Sequence, residues 1–435
     1  MTPSRLPDTE RDTTVATLSN GVRVVTIALP HLESASVSVF VRTGSRHESV
    51  RLNGISHVVE HMAFKGTESR DARAINLDAE RLGAQVNAHT DKDHTAYHIA
   101  GLARHAGVFI EMLGDIVRAS VFPEDDLERE RQVILQEYIE DEDDPLSSAF
   151  KLFDKLCFGK HPLAQPVIGT RRNIERFTRS DLLGYVQRQY TGANVIVGVA
   201  GNVDPQAVVD AVQAAFGSMP MGSEHGVAVP GYVGGVRTRR QAGSSQSHVV
   251  MGYPIASLLR SGGKEGNEDQ IGQVAAALFG EGMSSPLLHE LRERRGLVYH
   301  ASCTAEVTDL AGLFTIEAST TPDKLDEFCT ETFALLAAQA NAVDAVDLER
   351  ARNQIAVRRL RAHERPWRRL EDAAQDLFVF GRIRSSAELT AQVEAVTARQ
   401  LRRSFEQMLA APASIALAGR VPKGALDRLR ATSAA

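Results

Sequence analysis

Within GISHVVEHMAFKGT, Gly54 to Thr67, two histidines and a glutamate interrupt an otherwise apolar run. Placed on a helix, His57 and His61 stand about 6 Å apart along the axis and about 40° around it, so both imidazoles project from one face. That spacing can grip one metal ion. Glu60 falls on the same side, where a carboxylate can reach a water on the metal without being a ligand itself. Two neutral imidazoles leave a zinc ion wanting a third protein ligand, and a catalytic site keeps the fourth position for water. Alone, HxxEH is weak, because the pattern also arises by chance in chains of this length. What strengthens it lies downstream: ERERQVILQEYIE presents Glu130 and Glu137 two turns apart on one helical face, so that one can ligate while the other supports it.

These side chains need elements to hold them. Ile55, Val58, Val59 and Met62 recur at helical spacing, which places the motif on a half-buried helix. Ahead of it, VRVVTIAL and SASVSVFVR alternate with period two across a Pro-His turn and read as strands. Behind it come a helix ending at Gly83 and strands around Val86 to Thr90 and Thr95 to Ala100. From Ala103 helices dominate, including a Pro-started acidic helix halted before Pro145. The strand NVIVGVAGNV and a helix in DPQAVVDAVQAAFG close the first half.

The second half repeats this order: strands near SHVVMGYP, a helix EDQIGQVAAALFG, a helix PLLHELRERRG, strands near LVYHASCTA and GLFTIEAST, then long helices. It ends on ASIALAGRV, which echoes NVIVGVAGNV, so an internal duplication of about 200 residues is expected. The second copy has no HxxEH. The fold class is therefore α+β, with two homologous domains, each a mostly antiparallel sheet packed with helices. The expected boundaries are a tail over 1–12, a metal-bearing domain over 13–217, a Gly/Pro/Ser-rich linker over 218–243 and a second domain over 244–430.

At 435 residues the chain exceeds one ordinary core, and 43% hydrophobic with 24% charged residues is a globular composition. No apolar run approaches the roughly 20 residues of a membrane span, and a net charge of -6 disfavours nucleic-acid binding. The opening MTPSRLPDTERDTT carries no secretory or organellar signal, which makes the cytoplasm the default compartment. Cys157, Cys303 and Cys329 are odd in number and far apart, as expected of packing residues in a reducing compartment. An acidic run, Glu137 to Asp144, and eight arginines between Arg350 and Arg369 read first as solvated helix faces. Acidic groups near a site would favour basic peptides.

HVVEHMAFKGT resembles the inverted zinc motif of the pitrilysin-type metallopeptidases, in particular the branch holding the mitochondrial processing peptidase β subunit and its bacterial relatives. The resemblance runs through LNGISHVVEHMAFKGT, LGAQVNAHTDKDHTAYH, HPLAQPVIGT, YTGANVIVGVAGNV and GEGMSSPLLHELRERRGLVY, in the family's order. It implies a zinc endopeptidase with one zinc ion per chain, held by His57, His61 and Glu137, with Glu130 supporting the set and Glu60 as general base. It implies that Arg292 and Tyr299, from the second domain, face the zinc across a chamber and hold substrate. It further implies that a peptide adds as a strand to VNAHT, so that Asn87 and Ala88 bind it. Relatives of this length act in pairs, as homodimers or with a related subunit that lacks zinc. The competing expectation is a non-catalytic structural subunit of the same fold, which would carry a broken zinc motif.

His89 stands where the family commonly has an aromatic, and Pro286 where it commonly has a basic residue. HTDKDHTAYH also holds His89, His94 and His98. Strand geometry puts His94 and His98 on one face about 13 Å apart, too far for one ion, so these read as surface or site-lining histidines. Ser284 and Ser285 have no adjacent base, and FGEGMSS lacks the lysine of a phosphate loop.

Overall fold

The structure, a computed structural model, describes residues 12–259 and 267–434. It divides into two compact units, each assembled from separated stretches of chain. Unit 1 comprises Met1–Tyr138, Gln165–Val227 and Arg361–Ser386; unit 2 comprises Ile139–Ala164, Ala228–Leu360 and Ala387–Ala435.

Unit 1 is built on β1 (Thr13–Thr17), β2 (Arg23–Ala28), β3 (Ser34–Val41), β4 (Gln85–Thr90), β5 (Thr95–Leu102) and β6 (Val195–Gly201). Their spatial order is β1-β2-β6-β3-β5-β4, antiparallel throughout except for the parallel pair β2/β6. Alternation sorts the side chains of each strand onto two cores. Val37, Val39, Tyr97, Ile99, Val197 and Val199 join the HxxEH helix, Ile55–Ala63, in one. Val25, Ile27, Phe40, Ala96, Ile196 and Ala200 face the other way. There they meet Leu370, Ala373, Ala374 and Leu377, the apolar stripe of helix Pro366–Phe380. That helix comes close because β6 carries Gly198: a Cβ there would sit 2.9 Å from Leu370 Cδ2.

Unit 2 contains β7 (Gly235–Arg240), β8 (Ser247–Ile255), β9 (Val298–Val307), β10 (Gly312–Thr320) and β11 (Ser414–Gly419). The order is β7-β11-β8-β10-β9, again with one parallel pair, β7/β11. Helix Pro145–Phe158 packs on this sheet, with Phe153 against Gly252 and Cys157 Sγ 3.4 Å from Ser414 Oγ.

Two sequence expectations change here. The units are not the contiguous blocks 13–217 and 244–430: helix Pro366–Phe380 belongs to the first sheet and helix Pro145–Phe158 to the second. Amphipathic periodicity shows that a helix must cover something apolar, but not which sheet it covers. The stretch 218–243 is not all linker, because β7 lies inside it and pairs with β11. Its GVRTRR is too polar to read as a strand until a buried neighbour supplies the pairing. The three cysteines are buried and none forms a disulfide. Among the described residues, no helix is long and apolar enough to cross a membrane.

Candidate metal centre

The HxxEH helix starts at Gly54, whose φ of 98° lies in the left-handed region and whose lack of a side chain leaves the first turn uncapped. Glu48 caps it from a distance. Its carboxylate accepts from Gly54 N–H at 2.7 Å, Ser56 N–H at 2.8 Å and Asn53 Nδ2 at 3.1 Å. Burial pushes the Glu48 carboxyl above its usual range, and these hydrogen bonds oppose that shift. The HPLAQPVIGT block locks the same turn. Gln165 Nε2 donates to Glu48 O at 2.9 Å, and Asn53 Nδ2 donates to Pro166 O at 2.9 Å. Gly169, φ 83°, lies so close that a Cβ would meet Gly54 Cα at 2.5 Å. A segment about 110 residues downstream thus fixes where the two histidines point.

On that helix His57 Nε2 and His61 Nε2 lie 3.3 Å apart, with ring planes at 75°. Glu137 Oε2, from helix Glu124–Asp143, is 3.7 Å from the first and 3.4 Å from the second. Bonds of about 2.0–2.1 Å to a tetrahedral zinc separate the ligand atoms by about 3.3–3.4 Å, so these three atoms span one face of that tetrahedron. Burial, and then His61, lower the His57 pKa to about 4, so His57 is neutral and its lone pair is free to ligate. His61 Nδ1 lies 3.1 Å from Glu130 Oε2, and Glu130 Oε1 lies 2.6 Å from Lys65 Nζ. This carboxylate–histidine pairing orients His61 Nε2 towards the shared point. On these distances and this donor set the residues fit a zinc ion.

Glu60 is half-buried beside the set, and burial raises its pKa; a hydrogen bond from the Thr90 hydroxyl ties it to β4. β4 is an edge strand and, among the described residues, pairs only with β5. Asn87 is exposed on it, with its Oδ1 accepting from Ala88 N–H at 2.8 Å, and Ala88 packs on the core that holds the HxxEH helix. The expected metal ligands, general base and peptide strand are therefore brought together within unit 1. Arg292 and Tyr299 lie in unit 2. Arg292 occupies a π-helical turn, His289–Arg294, and its guanidinium stands 5.4 Å from the Tyr299 ring centre. Tyr299 is 83% exposed on β9, the outermost strand of its sheet. PLLHELRERRG, expected as one plain helix, winds wide at this point, a geometry often found at functional sites.

Sequence reasoning assigned no role to Glu48, Lys65, Thr90 or Gly169. Lys65, Thr90 and Gly169 stood in the quoted blocks, but only folding shows what they touch.

The profile of the insulinase family of peptidases, M16, matches residues 23–171, and that of the M16 inactive domain matches residues 176–355. An uncharacterized zinc protease of Rickettsia bellii is 30% identical over 93% of this chain and 97% of its own length. One from Bacillus subtilis is 30% identical over 92% and 97%. Among solved structures, a protease from Helicobacter pylori superposes with a TM-score of 0.84 at 22% identity, covering 94% of this chain and 99% of the other. A chain of Complex III2 from Candida albicans gives 0.83 at 18%, covering 97% and 99%.

Proposed function

The chain belongs to the M16 peptidase family, and we propose that it is a zinc endopeptidase that cleaves peptides or unfolded segments. The observation that carries this is the His57, His61 and Glu137 triangle, with its edges of 3.3, 3.4 and 3.7 Å. A chain of Complex III2 has the same fold as the protease from Helicobacter pylori, so the fold alone does not separate a peptidase from a structural subunit. An intact ligand set beside a half-buried carboxylate does favour catalysis.

His57, His61 and Glu137 would hold the ion, oriented by Glu130 and Lys65. Zinc held there supplies Lewis acidity, polarising a carbonyl and making water a better nucleophile near neutral pH. Glu60 takes the proton from the attacking water and returns it to the departing amine. Burial raises its pKa, which strengthens it as the base for the first transfer. The peptide adds alongside β4 at Asn87 and Ala88, where main-chain pairing selects extended chains and rejects folded ones. Arg292 supplies fixed donors for a peptide carbonyl, and Tyr299 a hydroxyl for developing negative charge. The chain works as a homodimer or beside a related subunit.

Digestion of a mixed peptide library read by mass spectrometry tests this, with chelator-stripped and zinc-restored protein side by side. Internal cleavages that vanish on stripping and return with zinc are expected. A zinc-loaded, folded chain that cuts nothing, alone or with a related subunit, would sink the proposal. Arg292→Ala and Tyr299→Phe should lower turnover and leave zinc content unchanged. A sizing column reports whether the chain pairs with itself.

A further inference from the structure

The same edge strand carries a second cluster on its opposite face. Register pairs His89 with Ala96 and Asn87 with His98, so His89, Ala96 and His98 share the face covered by helix Pro366–Phe380. His94 joins them, its ring 5.4 Å from His89 and 5.8 Å from Phe40. From the covering helix Glu371 places Oε1 3.3 Å from His89 Nε2. Judging His94 against His98 along one strand missed this, because the neighbour of each is His89 on the adjacent strand.

We propose that His89, His94 and Glu371 form a second site for a divalent transition-metal ion, one that ties the peptide-binding strand β4 to helix Pro366–Phe380. One ligand atom from each residue lies within 4.8 Å of the others. The distal nitrogens are already anchored, as in a histidine that binds metal. His94 Nδ1 lies 3.2 Å from Asp91 Oδ2, and Asp91 is itself fixed by accepting from the N–H groups of Asp93 and His94. A carboxylate only accepts here, so His94 carries its proton on Nδ1 and directs a lone pair from Nε2. That Nε2 is buried and has no hydrogen-bond partner. His89 Nδ1 lies 3.0 Å from His98 Nε2, and His98 Nδ1 lies 2.8 Å from Ser38 Oγ. When His98 donates to the serine and accepts from His89, His89 Nε2 also presents a lone pair. Arg368 holds the second Glu371 oxygen, Oε2, at 2.9 Å and leaves Oε1 for the cluster.

Two imidazoles and a carboxylate suit zinc, and also cobalt, nickel or copper. The competing arrangement is a protonated His89 paired with Glu371. It accounts for the 3.3 Å contact but leaves His94 Nε2 buried and unsatisfied. A cation answers both nitrogens at once.

The test is metal counting on the full chain, stripped with chelator, reloaded with zinc and desalted. The wild type should hold about two zinc ions per chain, His61→Ala and His94→Ala about one each, and the double variant none. Glu371→Gln, which keeps side-chain shape, should repeat the His94→Ala result, with circular dichroism confirming that both variants are folded. In His61→Ala, cobalt loading should give the visible absorption of a low-symmetry nitrogen/oxygen site. One zinc ion per wild-type chain, lost entirely in His61→Ala and untouched by His94→Ala, would overturn the proposal. A single ion that leaves with His94→Ala but stays in His61→Ala would support it, and would instead unseat the assignment of His57, His61 and Glu137.

Discussion

The two sheets are one design used twice. Positions β2-β6-β3-β5-β4 in unit 1 correspond to β7-β11-β8-β10-β9 in unit 2, each with its parallel pair in the same place. β6 and β11 are both buried along their whole length. A serine–histidine bond recurs between matching strands with the partners exchanged: Ser38 with His98 across β3 and β5, His248 with Ser319 across β8 and β10. The first helix after the matching strand differs. After β3 it carries His57, Glu60 and His61; after β8 it is Glu268–Gly280, lined by Val274, Ala275, Leu278 and Phe279. That second helix lies directly on β9, where a Cβ at Gly280 would fall 2.4 Å from Cys303 Cβ. The proposed metal site therefore rests on a few side chains and the room around them, while the alternation of apolar residues alone reproduces the frame.

Glu60→Gln probes that difference most severely. It should retain zinc, because Glu60 is not in the ligand triangle, and lose about 10³-fold or more in peptide turnover as the proton acceptor disappears. Zinc content and cleavage rate measured on one preparation decide it. Turnover near the wild-type level would mean that the helix of unit 1 is no more catalytic than its counterpart in unit 2.

Next in size is Gly169→Ala. At φ 83° and with Gly54 Cα 2.5 Å from the new Cβ, the substitution should cost about 2–4 kcal/mol and displace the start of the HxxEH helix. The single tryptophan, Trp367, belongs to unit 1, so its fluorescence during denaturation reports the unit affected. An unchanged midpoint would remove the HPLAQPVIGT block from the account of how unit 1 aims its histidines.

Local patterns were enough for the HxxEH helix and for most strands, since each rests on residues within a turn or on spacing along one element, whereas the preference for Glu137 over Glu130 as third ligand came from the family resemblance. Distant contacts were not legible. Glu48 reads as a surface acid until folding brings Gly54 and Ser56 N–H groups to it. Glu371 sits just beyond an arginine-rich run whose plain reading is a solvated face, yet its helix covers the first sheet. β7, polar and short, becomes a strand only beside β11. Glu371 and β7 find their partners far along the chain, and Glu48 finds its own only once the loop before the HxxEH helix has folded.

Glu130→Gln acts more gently, because it leaves all three proposed ligands in place. It removes the carboxylate that faces His61 Nδ1 and the partner of Lys65. Zinc affinity should fall about 10–100-fold, read by competition with a chelating dye. No loss would mean that helix geometry alone orients His61.

The smallest effect is expected in unit 2 and sets the baseline for the comparison. His248 makes the same kind of bond to Ser319 that His98 makes to Ser38, but no described metal-ligand cluster adjoins it. His248→Ala should therefore cost only about 0.5–1.5 kcal/mol, as for one partly buried hydrogen bond, and leave zinc content and cleavage as they were. Thermal melting and metal counting on this variant and on His98→Ala separate the two roles. Equal melting losses, with metal lost only from His98→Ala, mean that one structural bond was kept in both copies and used as a ligand support in the first. Metal loss from His248→Ala as well would show that the copies are less different than their side chains indicate.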